Sequence, residues 1–408
     1  MLQKILHRIL VRRHFWRNAS FSEIAELYAS RVLRMLAMHI AASFMSIYLY
    51  QQGYPVWIIA AFWGVFYLFK AIISVPMAAI AAWFGPKHGI LISNILFIPA
   101  MIAFALAPEY GAWLLIFVII FQGTSGALYS ISYGIDFSKV KSVEHAGKEI
   151  AYMNMVEKVT TGLSPLIGGI IAFLFGPQIV LVIAAFLFTL AALPLLRTSE
   201  QVSARQKLSF KGFPWHLVRP NMVAQMSYGV DVFTSGTVWS LFTAIFIIGI
   251  AANNEVYVAN GILLSVVMFA ALASSYAYGK LIDRNRGREL LKYAAIANAM
   301  THFLRPVTGS PLAVAGLNVA NEAATTGYSM SYTRGIFDNA DLSGRRTTYL
   351  GIIETLSNIG AAIAAGGLVL LTLFMSEQKA LESFFYIAAF VVLLIATAKF
   401  PLYRKRSA

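Results

Sequence analysis

Long apolar runs alternate with short polar breaks along nearly the whole chain. A helix needs about 20 mostly apolar residues to cross a bilayer. Runs of that kind lie near 27–50, 56–83, 88–107, 112–135, 150–175 and 177–196, and again near 219–249, 255–280, 289–309, 311–334, 347–374 and 381–402. The pattern predicts an all-α integral membrane protein with twelve transmembrane helices. The longest polar stretch between runs, RTSEQVSARQKLSFKGFPWHLV at 197–218, divides them into six and six. The expected organisation is a basic N-terminal segment over 1–26, a six-helix bundle over 27–196, a linker over 197–218, a second six-helix bundle over 219–402 and a basic tail over 403–408.

Composition supports this reading. Of the 408 residues 59% are hydrophobic and 12% charged, about half the charged share of a soluble domain. Lipid is therefore the main solvent. A formal net charge of +14 in a soluble protein would raise the question of nucleic acid. Here the Lys and Arg cluster in the short polar segments, where they set topology. With the N-terminus inside, the outer loops hold only Lys379, so both termini and the 197–218 linker are expected to be cytoplasmic. Near the start, Leu2, Ile5, Leu6, Ile9 and Leu10 share one helical face, with Lys4, Arg8, Arg12 and Arg13 largely elsewhere. This fits a basic amphipathic helix on the inner membrane surface; a basic tail without fixed structure is the plainer alternative. Ser20 and Glu23 fit a capping box opening the first span.

A repeat runs through the two halves. YSISY at 129–133 returns as YSMSY at 328–332, an offset of 328 − 129 = 199. Tyr152 and Glu157 match Tyr349 and Glu354 at an offset of 197, and Gly168-Gly169 match Gly366-Gly367 at 198. A near-constant offset over polar, aromatic and glycine positions marks two copies of one unit. Two parallel copies suggest a transporter with its pathway between the halves, near the bilayer midplane.

Twelve helices as six plus six, a basic middle loop and parallel repeats resemble the major facilitator superfamily. The family's most specific signature is a loop, G-x-L-x-D-R-x-G-R, after the second helix of each half. GKLIDRNRGR at 279–288 is similar to it, with one extra residue before the last glycine. The loop after helix 2 keeps Gly85 and Lys87 but has Ala82 and Trp83 where Asp and Arg belong. GLSPLIGG at 162–169 resembles the helix 5 motif of the drug/proton antiporters, and FQGTSGA at 121–127 resembles the helix 4 motif, with Ile119 in place of its arginine. The resemblance implies that helices 1, 4, 7 and 10 line a cavity, that 2, 5, 8 and 11 meet between bundles, and that 3, 6, 9 and 12 face lipid.

Candidate residues follow. An ionisable group inside a membrane is expensive and functional by default. Arg34 and Asp231, at an offset of 231 − 34 = 197, occupy matching places in helices 1 and 7. Asp231 is a candidate proton carrier, and a pair with Arg34 across the bundle interface, coupling or merely static, is the expected contact. Glu322, mid-span in helix 10, is the second proton or cation candidate. Gln122, Ser125, Tyr129 and Tyr133 share one side of helix 4, as Asn318, Thr325, Tyr328 and Tyr332 do of helix 10. These are candidate cavity residues suited to an amphipathic organic ligand, with helix–helix glue as the alternative. Lys70, midway along helix 2, is expected to face protein or cavity. Gly279, Asp283, Arg284, Arg286, Gly287 and Arg288 form the candidate cytoplasmic gate, Asp283 facing a helix N-terminus, by pseudo-symmetry helix 5. Glu157 and Glu354 are near enough to join it. Gly162, Pro165, Gly168, Gly169, Gly366 and Gly367 are read as helix-packing positions. Arg31 and Arg305 are expected to extend to the membrane interfaces.

The function these features predict is alternating-access transport, with proton-coupled efflux of an amphipathic organic molecule first. Coupled or facilitated uptake of a small, anionic metabolite is the runner-up, and a non-transporting receptor or scaffold the third reading. The expected partners are a small-molecule substrate, protons and the lipid bilayer of the plasma or inner membrane, with no nucleic acid and a monomeric state. The chain has no cysteine, no nucleotide-binding loop and no metal-ligand pattern, so no cofactor, metal or enzymatic activity is expected.

Overall fold

The computed structural model describes residues 21–140, 146–196, 207–249 and 255–403. The basic segment over 1–20, the first part of the linker and the tail from 404 lie outside the described residues. Helix α1 spans Phe21–Gln51, α2 Val56–Phe84, α3 Pro86–Tyr110, α4 Leu114–Val140, α5 Ala146–Phe175 and α6 Pro177–Ala192. Helix α7 opens at Met222 and runs to Gly249 through two π-helical stretches, Thr234–Val238 and Thr243–Gly249. Then follow α8 over Glu255–Asp283, α9 over Gly287–Leu304, α10 over Pro311–Leu342, α11 over Arg346–Phe374 and α12 over Glu377–Leu393. No strand occurs among the described residues. In lipid, a helix is the form that satisfies every backbone group within one segment.

Most boundaries fall within a few residues of the hydropathy pattern. Two ends differ more: α12 stops at Leu393, short of 402, and α10 continues past 334 to Leu342, beyond its apolar run, with Arg334 and Asp338 paired at 3.7 Å on successive turns. Two turns share one chemistry. Gly85 and Gly176 take φ of 92° and 88°, and Pro86 and Pro177 start the next helix. Glycine accepts that conformation without strain and proline is preset for the first helical turn.

Among the described residues, ten helices are long and apolar enough to cross a membrane. The two outside that set are α9 and α10, which, with the turn Arg305–Val307 that ends α9, carry Asn298, His302, Arg305, Asn318, Asn321 and Glu322. Their low hydropathy has a local cause, because these polar groups point inward. In α9 and that turn, Tyr293, Met300 and Phe303 are exposed while Asn298, His302 and Arg305 are buried, the reverse of a soluble amphipathic helix. Elsewhere the surface is also apolar: Phe269, Leu312 and Phe374 are 73%, 84% and 84% exposed. Apolar exposure on that scale belongs against hydrocarbon.

The halves pack alike. Helix α1 lies on α5 and α6, α2 on α4, and α3 on α4 and α6; correspondingly α7 lies on α11 and α12, α8 on α10, and α9 on α10 and α12. Between the halves, α5 meets α8 and α2 meets α11. These contacts are close because small residues face each other. A Cβ at Gly169 would sit 2.4 Å from the Tyr257 carbonyl, one at Gly261 2.6 Å from the Pro165 carbonyl, and one at Gly351 2.9 Å from Ala78 Cβ.

Candidate functional site

The repeated YSxSY segment answers to the helix that opens each half. In the first half, Arg31 and Arg34, one turn apart on α1, lie over Tyr133 and Tyr129 of α4, with guanidinium carbons 3.7 and 3.8 Å from the ring centroids. The two tyrosines stack on each other at 5.7 Å. Arg31 also donates to the Tyr129 hydroxyl at 3.1 Å and pairs with Glu157 of α5 at 2.5 Å. Arg34 is 1% exposed and donates to Asn94 at 2.6 Å, Ser93 at 3.4 Å and Ser125 at 3.2 Å.

In the second half, Tyr228 and Asp231 stand in the places of Arg31 and Arg34: 228 − 31 and 231 − 34 both give 197. Tyr228 packs on Tyr328 and Tyr332 at 5.7 and 5.6 Å. Asp231, 1% exposed, accepts from the Tyr328 hydroxyl, from Asn298 at 3.0 Å and from Ser235 at 3.2 Å. His302 Nε2 lies 2.6 Å from the same carboxylate, and its Nδ1 lies 2.7 Å from Arg305. A guanidinium only donates. His302 Nδ1 must therefore accept, which puts the imidazole proton on Nε2, facing Asp231, and makes the ring neutral. Arg305 also donates to Ser235 and Asn321, and Asn321 and Thr325 both donate to Asn298.

The two clusters are one scaffold with inverted charge. Each joins the first, third and fourth helices of its half, through Arg34, Asn94 and Tyr129 or through Asp231, Asn298 and Tyr328. The cation meets the face of its tyrosine ring, where the quadrupole is negative. The anion meets the hydroxyl. The expected Arg34–Asp231 pair is therefore corrected: the hydrogen-bond partners of each residue lie within its own half.

A cavity of about 580 Å³ lies between the halves. Its wall includes Arg34, Met38 and His39 of α1, Trp63, Phe66, Tyr67 and Lys70 of α2, Gln122 and Gly126 of α4, Tyr228 through Ser240 at intervals along α7, and Glu354 and Asn358 of α11. That volume suits a drug-sized solute. Ser235, Gly236 and Thr237 lie in the first π-helical stretch, a form frequent at functional sites. Helix α10 contributes none of the lining residues, contrary to the family-based expectation. Tyr328 and Tyr332 are each 1% exposed and serve the Asp231 cluster and the packing against Tyr228 and Phe400. Asn318 accepts from Trp239 at 2.6 Å.

Ion pairs tie the halves together around this space. Lys70 reaches Glu354 at 3.2 Å, which also accepts from Ser130 at 2.8 Å, and Lys158 pairs with Glu322 at 2.6 Å. Where α1 ends and α2 begins, Tyr50 and the Val56 amide bond to Glu377 at 3.3 and 2.8 Å, and Tyr257 bonds to Gln51.

Other expectations are corrected. Glu157 and Glu354 turn to Arg31 and Lys70, nearby half-buried cations, rather than to the 279–288 loop. In that loop Arg284, Arg286 and Arg288 are exposed, while Gly287 is buried against Tyr403. Arg305 and Arg31 do not extend to an interface; carboxylates in the interior, reached directly or through His302, hold them. A Cβ at Gly162 would lie 2.7 Å from Met268, and one at Gly168 2.5 Å from the Ile40 carbonyl, but Gly366 and Gly367 face open space. The tight glycines of α11 and α7 are Gly360 and Gly229, whose Cβ atoms would fall 1.9 and 1.8 Å from the carbonyls of Met226 and Ser357. The sequence pattern marks neither Lys158 nor Asn298, and it sends Arg305 to an interface rather than into a linked set with Asn298 and His302. That set carries a signal, the i, i+4, i+7 spacing of one buried face.

The profile of the Major Facilitator Superfamily matches residues 27–301, well over half of the 408 residues. The chain belongs to this superfamily. The all-α fold agrees. A POT family transporter in complex with a thioalcohol-conjugated peptide superposes with a TM-score of 0.68 at 12% identity, covering 91% of this chain and 94% of that one. The human organic anion transporter MFSD10 gives 0.66 at 13%, covering 92% and 98%. The E. coli fucose:proton symporter FucP gives 0.64 at 15%, also covering 92% and 98%. At these identities the likeness is one of fold. A comparison with curated protein sequences finds no match. The superfamily and fold make this a multi-pass membrane protein of the transporter class.

Proposed function

We propose that the protein is a secondary transporter that carries a small amphipathic organic molecule through the central cavity by alternating access, in exchange for protons. The observation that carries the reading is the cavity itself. It lies between two similarly folded halves, is walled by both, and is bordered by ion pairs that cross from one half to the other. Rocking of the halves would break and remake those pairs, the contacts at Glu377 and Gln51 on the outer side and the α2–α11 contact on the inner. In this account all twelve helices cross the membrane, with both termini inside the cell.

Asp231 is the proposed proton carrier. Its carboxylate accepts four hydrogen bonds, and a proton placed there would leave Arg305 without its counter-charge, a change large enough to alter how α7 packs on α9 and α10. Glu322, paired with Lys158 across the halves, is the second titrating candidate. The proline and glycines of α5 support efflux as the direction. Uptake of a small anionic metabolite is the second reading, favoured by the presence of Arg34 in the cavity wall.

The test uses inside-out vesicles with a preformed proton gradient and a panel of cationic, neutral and anionic amphiphiles and small metabolites. Collapse of the gradient by one class, lost in Asp231→Asn, is the expected result. Counterflow of a labelled solute in both proteins without any collapse would contradict proton coupling. Absence of counterflow in the wild type would contradict transport and leave a receptor or scaffold.

A further inference from the structure

Among the described residues, Arg34 differs from Arg31, Lys70, Lys158 and Arg305. Arg31 has Glu157, Lys70 has Glu354, Lys158 has Glu322, and Arg305 reaches Asp231 through His302. Every hydrogen-bond partner of Arg34 is neutral: Ser93, Asn94 and Ser125. Its ring neighbours Tyr129, Phe97 and Phe188, at 3.8, 5.5 and 5.5 Å, are neutral as well. Its Nε, buried, has no hydrogen-bond partner. A guanidinium so enclosed carries a desolvation cost that no protein anion offsets, yet it lies in the wall of the cavity.

We propose that the transported solute is an organic carboxylate, and that its carboxylate docks on the Nε edge of Arg34. This rests on the transporter reading above. A guanidinium grips a carboxylate through two parallel N–H bonds. The Nε–H is uncommitted, and Nη2 donates to Ser125 while keeping a second N–H. One turn from Ser125, Gln122 lines the same cavity with its side-chain oxygen buried and unpartnered, so it accepts from a donor on the solute, such as a hydroxyl or an amide N–H. Trp63, Phe66, Tyr67 and Phe97 form an aromatic wall for an apolar body. The solute supplies the counter-charge that the protein omits, so the loaded and empty cavities differ by one neutralised charge.

The chain has no cysteine, so one introduced thiol is unique. Gly236 lines the cavity and an added Cβ there meets nothing within 4 Å. The experiment compares the rates at which the Gly236→Cys thiolate, in membranes, forms a mixed disulfide with an anionic and a cationic methanethiosulfonate of similar size, each releasing methanesulfinate. The anionic reagent is expected to react faster, and the rate ratio to fall about tenfold when Arg34→Gln is added. Arg34→Lys is expected to keep the ratio and to confirm that the site tolerates substitution. Benzoate and 4-hydroxybenzoate are expected to protect the thiol, and their uncharged amides to protect at least tenfold less well. A faster cationic reagent, a ratio unmoved by Arg34→Gln, or equal protection by acid and amide would overturn the carboxylate assignment and leave transport standing. A thiol that reacts with neither reagent would show that water does not reach the cavity, and would overturn the transporter reading and this inference together.

Discussion

Replacing Asp231 by Asn keeps its shape and removes its charge. In the wild type one carboxylate oxygen accepts from Ser235, Asn298 and His302 and the other from Tyr328. An asparagine oxygen can serve the first three. Its amide then faces the Tyr328 hydroxyl, which must turn from donor to acceptor, so the hydrogen-bond loss is about one bond, roughly 1–3 kcal/mol for a buried group. The electrostatic loss is greater. Arg305, 1% exposed, loses the anion it reaches through His302, and leaving one partner of a buried pair costs about 3–5 kcal/mol. Asp231→Asn is therefore expected to lower the thermal unfolding midpoint in detergent markedly. Arg305→Gln alone is expected to do the same, by leaving the anion. The double variant removes both charges and should recover roughly 1–3 kcal/mol relative to the sum of the singles. Midpoints that simply add, or a single Asn variant as stable as the wild type, would refute the claim that Arg305 and Asp231 are electrostatically linked through His302.

Glycines offer a sharper local contrast. Gly229→Ala and Gly360→Ala should each destabilise the α7–α11 contact, because their Cβ atoms would fall 1.8 and 1.9 Å from backbone carbonyls; overpacking of this kind costs about 1–3 kcal/mol or more. Gly366→Ala and Gly367→Ala meet nothing within 4 Å and should be neutral or stabilising by up to about 1 kcal/mol, as read by the same melting assay. Charge reversal tests the α5–α10 pair: Lys158→Glu sets two carboxylates face to face and should reduce folded yield, and adding Glu322→Lys should restore most of it. A double variant no better than the single would mean that Lys158 and Glu322 do not interact.

Much of the fold is legible in the sequence because lipid imposes one rule on every span, and an apolar run near 20 residues obeys it. The repeat is legible for a related reason: Tyr129 and Tyr328 keep their offset because each anchors the opening helix of its half. What the opening helix brings to that anchor is not legible. Arg34 and Asp231 share a register, and opposite charges in matched places suggest a pair. Their matched places instead put each inside its own bundle, where Asn94 and Asn298 are nearer partners. Helix α9 departs from expectation because a lipid-facing role holds for only one of its faces. The spacing of Asn298, His302 and Arg305 marks the buried one. The α5–α10 pair is hidden because Lys158 follows Glu157 directly, and adjacent residues on a helix point in different directions.

Alternating access requires the two halves to move against each other around the cavity. Ala78 and Gly351 meet between α2 and α11, with a Gly351 Cβ falling 2.9 Å from Ala78 Cβ, so the helices need to part by only about 1 Å to give the roughly 3.8 Å of a disulfide. In this cysteine-free chain, Ala78→Cys with Gly351→Cys gives one defined cross-link between the halves. Counterflow of a transported solute in proteoliposomes should stop on oxidation and return on reduction, with counterflow by each single-cysteine variant the same before and after oxidation. Undiminished counterflow in the fully cross-linked protein would contradict alternating access.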